Sequence, residues 1–150
     1  MSKPAMAVLC LALSATAASA ARGDASTRES LRFETIDVYV DSGDTGLGAY
    51  QFEFRVIGGN AEVVGVEGGE AAAFSAAPYY DPSALRGGYL IVAAFEPEGA
   101  VPAGRTRVAT LHLMVRGDRD PDYDLELVVA ADQDGNSIAG DITFEKGDAR

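Results

Sequence analysis

The stretch Tyr50-Gln-Phe-Glu-Phe-Arg-Val56 decides the fold class of this chain of 150 residues. Large apolar residues stand at every second position, and Gln51, Glu53 and Arg55 fill the positions between them. Side chains of a β-strand point alternately to the two faces of a sheet, so a period of two predicts a strand with one buried face. An amphipathic helix would instead repeat its apolar residues every 3.6 positions.

The same alternation continues on both sides of this strand. Upstream it includes Ile36, Val38 and Val40, and downstream it covers Arg105–Val115. Further strands are predicted from the apolar runs and turn residues at Val64–Val66, Tyr89–Phe95, Leu125–Val129 and Ile138–Phe144. Many short strands joined by Gly, Asp and Pro loops predict an all-β fold, an antiparallel β-sandwich of about nine strands. Four residues on the apolar strand faces are expected in its core: Phe52, Phe54, Leu111 and Leu113.

Residues 1–20 have the pattern of a cleavable signal peptide. Lys3 supplies the positive start, the apolar run Ala5–Leu13 is too short to span a bilayer, and Ala18-Ser-Ala20 fits the small-residue cleavage rule. Cys10 follows Leu9, where a lipoprotein signal would carry a small residue, so it is assigned to the cleaved peptide. We therefore expect a secreted protein, extracellular or periplasmic, with a flexible lead-in at 21–30 and a sandwich domain at 31–150.

Charge and rare residues exclude several function classes. The chain has 12 Lys and Arg against 23 Asp and Glu, a net charge of −11, which disfavours nucleic acid and anionic lipid as partners. One Cys and one His exclude an intrachain disulfide, most zinc sites and most nucleophile–base pairs. No Gly-x-Ser-x-Gly motif is present. We expect a protein that is not an enzyme and does not insert into a membrane.

The segment from Asp132 to Asn136 is the candidate metal site. Asp132, Asp134 and Asn136 offer oxygen ligands at alternate positions, as a calcium loop does. The helix–loop–helix calcium motif fails, because Ser137 and Thr143 occupy the positions where it needs Gly and an acidic ligand. The alternative is a β-hairpin turn, in which Asp, Gly and Asn are favoured for their backbone geometry. The pattern favours the turn and leaves calcium open; no other cofactor is expected.

Two groups of residues are candidates for contact with a partner. Thr110, His112 and Met114 occupy the side of their strand opposite Leu111 and Leu113, where an adaptable Met beside polar residues suits a protein contact. Tyr79 and Tyr80 are the second group, because a tyrosine pairs a flat apolar ring with a hydroxyl and suits protein or sugar contacts. A flat row of exposed tyrosines on one sheet would favour sugar, whereas scattered ones would favour protein.

Four segments together resemble the cohesin family: Gly46–Phe54, Glu62–Gly68, Leu90–Phe95 and Gly104–Val115. The closing segment Ala130–Ile138 also looks like the late hairpin of cohesin-like modules. The resemblance implies a nine-stranded jelly-roll sandwich, shared with some carbohydrate-binding modules, and non-catalytic recognition of a calcium-loaded dockerin. We therefore expect a secreted module that binds another secreted or cell-surface protein, and the resemblance implies that this partner is dockerin-like. The alternative is a carbohydrate-binding module of the same architecture, with a polysaccharide ligand.

Overall fold

The computed structural model describes residues 29–147, which form two antiparallel sheets packed face to face. The predicted signal peptide at 1–20 and residues 21–28 of the lead-in lie outside the described residues. Eight strands are present in the described part: β1 (Leu31–Asp41), β2 (Ala49–Gly58), β3 (Ala61–Gly68), β4 (Tyr79–Tyr80), β5 (Tyr89–Phe95), β6 (Arg105–Arg116), β7 (Asp122–Ala131) and β8 (Asp141–Gly147). The predicted all-β sandwich is confirmed.

Each sheet has four strands. The first has the order β3-β6-β1-β8, and the second has the order β4-β5-β2-β7. Consecutive strands lie in different sheets except β4 and β5, so the chain repeatedly crosses between the layers. Two short 3₁₀ helices, Ala72–Phe74 and Pro82–Gly87, lie on the connections that flank β4. Among residues 29–147, no helix has the length and apolar character needed to cross a membrane.

The core fills the space between the sheets with the apolar residues that the alternation predicts. Phe52, Phe54, Leu111 and Leu113 are all fully buried, as expected. Tyr50 is also buried, and its hydroxyl donates to the carbonyl of Val108 across the layers at 3.0 Å. That bond satisfies a polar group that would otherwise be costly to bury. Both sheets are therefore held by one continuous apolar layer.

The register of β1 against β6 sets which side chains meet on the outer surface of the first sheet. Ile36 pairs with Leu111 on the core side, and Asp37 pairs with Thr110 on the outer side. A bulge in β6 shifts the register between Val38 and Tyr39, so that Tyr39 pairs with Arg107. The bulge brings Arg107 onto the outer surface close to Thr110.

The last strand departs from the expected Ile138–Phe144, because β8 runs from Asp141 to Gly147. After β7 the chain makes a tight turn closed by an isolated bridge between Ala131 and Ser137. It then crosses to the first sheet at Gly140, where an added Cβ would lie 3.2 Å from Leu127 and 3.3 Å from the Asp41 carbonyl. This crossing uses the residues expected to start the strand, and residues 29–147 contain eight strands where about nine are expected for the chain.

Candidate functional site on the two outer sheet faces

Thr110 faces away from the core, as the alternation predicts, but its side chain is covered. It is only 5% exposed, because Arg107 and Asp37 close over it. The Thr110 hydroxyl donates to Asp37 Oδ1 at 2.5 Å and accepts from the Arg107 guanidinium at 2.6 Å. Thr110 is therefore much less accessible than its outward strand position predicts, and its role in partner contact stays a prediction.

His112 and Met114 also face outward and are partly exposed. His112 pairs with Gly65 on β3 and with Thr35 on β1, so the space above its ring is bounded by small residues. His112 and Thr35 line a groove of about 700 Å³ along the outer face of the first sheet, whereas Met114 lines a separate pocket with Glu62 and Val64. We call the groove that contains His112 the β6 groove, and its lining includes Phe33, Thr35, Asp37, Val64, Glu67, Arg107, Thr110, His112 and Gly147.

Tyr79 and Tyr80 point to opposite sides of the second sheet. Tyr80 packs against the core, whereas Tyr79 is 69% exposed on the outer side. The Tyr79 ring lies 6.1 Å from the Phe95 ring, centroid to centroid, with only 12° between the ring planes. Adjacent residues of a strand must diverge in this way, so the pair of tyrosines contributes one ring to the surface and one to the interior.

The exposed apolar residues of the second sheet form a row along β5. Leu90 and Val92 are buried, and the alternate residues Tyr89, Ile91 and Phe95 face outward with 40%, 41% and 61% of their surface exposed. Tyr79 adds to this row, because β4 pairs with β5 at Ala93. We call Tyr79, Tyr89, Ile91 and Phe95 the β5 face.

Charged residues of β2 and β7 lie beside the β5 face. Arg55 forms an ion pair with Glu53 and lies 3.5 Å from Asp124 and 3.6 Å from Glu126. The Arg55 guanidinium also stands 5.2 Å from the centre of the Tyr89 ring. Desolvation, followed by the Glu53 carboxylate, raises the pKa of Tyr89, so its hydroxyl remains a hydrogen-bond donor at neutral pH. Three carboxylates around one guanidinium leave this border acidic.

Sequence reasoning did not single out Ile91 and Phe95 as surface residues. The available signal was the composition of Tyr89–Phe95, which is apolar at nearly every position. A strand with one face on the core and one in solvent would normally carry polar residues on the solvent side. Apolar residues on both sides of β5 therefore indicated either a strand buried on both faces or an exposed apolar surface, and the structure shows the second.

The segment from Asp132 to Asn136 folds as a compact turn. Asp132 Oδ1 accepts from the backbone N–H groups of Asp134 and Asn136 at 3.0 and 2.8 Å, and Oδ2 accepts from the Asn136 side chain at 3.1 Å. Donation by the Asn136 side chain and backbone lowers the pKa of Asp132. Both carboxylate oxygens of Asp132 thus accept hydrogen bonds from groups of the same turn, and these bonds stabilise the turn conformation. Within residues 29–147, no three His, Cys, Asp or Glu side chains are grouped to hold a metal ion; the calcium site stays a prediction.

The loop at 117–121, which contains Asp118 and Asp120, precedes β7, and the Asp132 turn follows it, so the two acidic segments lie at opposite ends of that strand. The carboxylates of the loop have separate partners. Asp118 accepts from the Ser30 hydroxyl at 2.6 Å, and Asp120 pairs with Arg32 at 2.7 Å. The two acidic segments therefore do not combine into one site.

No family model, no curated protein and no solved structure matches this chain. The two outer faces are therefore the basis for inferring function. They differ in character. The β6 groove combines a hydrogen-bonded polar network with the apolar side chains of Phe33 and Val64, and the β5 face is built from exposed rings and an aliphatic side chain.

Proposed function

We propose that this protein is an exported, non-catalytic binding module that recognises another protein through the β5 face. The observation that carries the proposal is the row of Tyr79, Tyr89, Ile91 and Phe95, which leaves three rings and one aliphatic side chain exposed on one sheet. Contiguous exposed apolar surface on a folded domain commonly marks an interaction site, because exposing it to water is unfavourable.

The composition of the β5 face suits a protein partner. The centre of a protein interface is enriched in aromatic and aliphatic side chains and depleted of charge. Ile91 stands between the rings of Tyr89 and Phe95 on the same strand, and Val129 on β7 is also exposed. The strands β2, β7, β5 and β4 have 10, 10, 7 and 2 residues. At about 3.3 Å per residue and about 4.8 Å between strands, they present a face of roughly 460 Å² before side-chain relief. That is somewhat more than half of the roughly 800 Å² per partner of a standard interface.

Charge narrows the chemistry of the partner. The chain carries a net charge of −11, and Glu53, Asp124 and Glu126 border the β5 face with Arg55 as the cation among them. A partner with an apolar centre and Lys or Arg at its rim would be attracted over long range and would dock without like-charge contacts.

A polysaccharide ligand is the second candidate, favoured by one observation. The rings of Tyr79 and Phe95 are nearly parallel, and Tyr89 lies on the same sheet face. Exposed rings in a row can stack on sugar rings, and the tyrosine hydroxyls can hydrogen-bond to them. Ile91 in the middle of the row offers no hydrogen bond to a sugar hydroxyl, which is why protein remains the leading proposal.

The proposal also includes a jelly-roll architecture and export of the protein. Eight strands that cross repeatedly between two sheets are compatible with a jelly roll, and the sequence pattern supports a cohesin-like module with a dockerin-like partner. Export rests on the signal-peptide pattern of residues 1–20.

The test compares two variants that add the same charge to opposite faces. Ile91→Glu places a carboxylate in the β5 face, and Thr143→Glu places one on exposed β8 in the other sheet. Each immobilised protein is exposed to secreted proteins of its source, and captured proteins are identified, purified and titrated back. We expect the parent and Thr143→Glu to bind the same purified protein, and Ile91→Glu to lose at least about tenfold in affinity.

Electrophoresis of the same three proteins through gels containing polysaccharide is the second arm. The sugar-binding proposal would replace the protein-binding one if three results are found together. A polysaccharide retards the parent, the retardation disappears in Ile91→Glu, and no protein partner is captured reproducibly. Equal protein capture by the parent and Ile91→Glu would show that the β5 face is not the contact surface.

A further inference from the structure

We propose that the outer edge of β7 is a second binding site, which accepts an extended segment of a partner protein as an additional strand. The second sheet ends at β7, and no strand pairs with its outer side among residues 29–147. A sheet edge carries unpaired backbone N–H and C=O groups, and an extended chain can pair with them. The inference concerns the edge of the sheet, so it does not depend on the proposed function of the β5 face.

The free part of this edge covers residues 122–127. β7 has a bulge at Val128, which has no partner in the register between β7 and β2. Beyond the bulge, the Ala130 carbonyl accepts a hydrogen bond from the Ile138 N–H at 2.9 Å, so the end of β7 is already covered. The part that precedes the bulge has the length of an ordinary strand, which is enough for one added strand to pair with it.

The core-facing side of β7 leaves an apolar strip open beside the edge. Leu125 and Leu127 are only partly buried, whereas the β2 residues that pair with them are fully buried. Ile142 and Phe144 are also partly buried, and they lie on β8, the edge strand of the first sheet. The two edges lie against each other, because the ring centres of Tyr123 and Phe144 are 6.3 Å apart. Apolar side chains of a strand added to β7 would cover this strip and remove it from water.

The outer side of β7 determines the charge of the added strand. Asp122, Asp124 and Glu126 occupy alternate positions there and are exposed. Arg55 lies 3.5 Å from Asp124 and 3.6 Å from Glu126. The same guanidinium pairs with Glu53, so one cation is shared among several carboxylates. Lysine or arginine at every second position of the added strand would lie beside these carboxylates, and opposite charges on neighbouring strands attract.

The two sides of β7 together specify the partner segment. It is an extended segment in which aliphatic residues, facing the apolar strip, alternate with lysine or arginine. A second copy of this chain does not fit, because its own β7 would bring the same carboxylates to the joined sheet, where like charges on neighbouring strands repel. The net charge of −11 also opposes association of two copies. The occupant is therefore a segment of a different protein.

The probe is the peptide acetyl-Lys-Val-Lys-Val-Lys-Val-Lys-amide, titrated into the parent protein while its backbone amide signals are recorded by nuclear magnetic resonance. The matched probe replaces valine by serine, which keeps the charge and the alternation and removes the apolar side. We expect the valine peptide to bind saturably and to slow amide exchange at alternate residues of 122–127. The serine peptide is expected to bind at least about tenfold more weakly. Equal binding of the two peptides, or binding without slower exchange at these amides, would overturn strand addition.

Glu126→Lys and Glu145→Lys are the matched variants. Both glutamates lie on edge strands, on opposite sheets, each is paired with an arginine, and both side chains are 62% exposed. The two substitutions change the net charge equally, so their difference reports the local position of the peptide. We expect Glu126→Lys to weaken binding of the valine peptide at least about threefold more than Glu145→Lys does. Equal weakening would overturn the β7 site, and a larger effect of Glu145→Lys would place the added strand on β8 instead.

Ile91→Glu separates this site from the β5 face. Its affinity for the valine peptide is expected to stay within about twofold of the parent, because Ile91 lies on β5 and the peptide pairs with β7. Loss of peptide binding in Ile91→Glu would show that the peptide occupies the β5 face and would overturn the edge site.

Discussion

The outer faces of the two sheets show how the same strand alternation produces two different surfaces. On the first sheet, Thr110 is covered because Arg107 and Asp37 bond to it. On the second sheet, Ile91 and Phe95 face outward with 41% and 61% of their surface exposed. A polar outward residue can thus be hidden and an apolar one displayed, so the exposed fraction depends on neighbouring strands rather than on residue type.

The common core supports both faces, and breaking it gives the largest expected effect. Phe54 is fully buried, and its ring centre lies 5.4 Å from that of Tyr123. Phe54→Ala removes most of a buried ring and leaves a cavity, so we expect a loss of roughly 3–5 kcal/mol in the free energy of unfolding. Chemical denaturation measures it, and an unchanged midpoint would contradict the assignment of Phe54 to the core.

The hydrogen-bonded network of the first sheet is the next feature to break. Thr110→Val keeps the side-chain shape and removes the hydroxyl, which leaves Asp37 and Arg107 each without one partner. We expect the free energy of unfolding to fall by about 1–3 kcal/mol. Thr143→Val, at an exposed position, is the control and should stay within about 0.5 kcal/mol of the parent. Equal effects of the two substitutions would mean that the network contributes nothing.

Removal of the Asp132 carboxylate is expected to lower the free energy of unfolding by a smaller amount, which depends on pH. Because hydrogen bonds lower the pKa of Asp132 in the folded protein, its carboxylate stabilises the fold at a pH above the unfolded value of about 3.9. This contribution is lost as the pH falls through the folded pKa. Asp132→Ala should therefore be destabilised at pH 7, and its deficit relative to the parent should shrink as the pH falls below 4. A deficit that is the same at pH 7 and pH 3 would argue against a role for the charged carboxylate.

Calcium is expected to change the stability least. The oxygens of Asp132 already accept three hydrogen bonds inside the turn, so the turn does not need an ion to satisfy them. We expect the thermal midpoint to remain unchanged when millimolar calcium is added. A calcium-dependent rise that disappears in Asp134→Ala would instead support the calcium site, because a ligand that binds the folded state raises its stability.

The sequence predicts the strands well because alternation is a local property. Phe52, Phe54, Leu111 and Leu113 are buried as their spacing predicts. The start of β8 could not be predicted in the same way, because it depends on the crossing between sheets at Gly140, where the chain passes close to Leu127 and Asp41. Local pattern does not contain that contact between distant segments.

The candidate site was less predictable for a related reason. The outward direction of Thr110 follows from its strand position, but its covering depends on the bulge in β6 that brings Arg107 close. Tyr79 and Tyr80 are identical in type, and only the pairing of β4 with β5 determines which ring reaches the surface. To predict which side chains of a site are exposed, one must therefore know the register between strands, and the residue pattern of a single strand does not specify it.

Methyl resonances of the parent protein, recorded with and without its purified protein partner, test the central claim most directly. Ile91 reports on the β5 face and Val64 on the β6 groove, and both side chains are exposed. The proposed function predicts that the Ile91 methyl signal shifts or broadens when the purified partner is added. In the Ile91→Glu protein, which is expected to bind the partner weakly, the signals of Tyr79, Tyr89 and Phe95 should not respond to the same addition. An unchanged Ile91 signal in a saturated complex would contradict recognition through the β5 face.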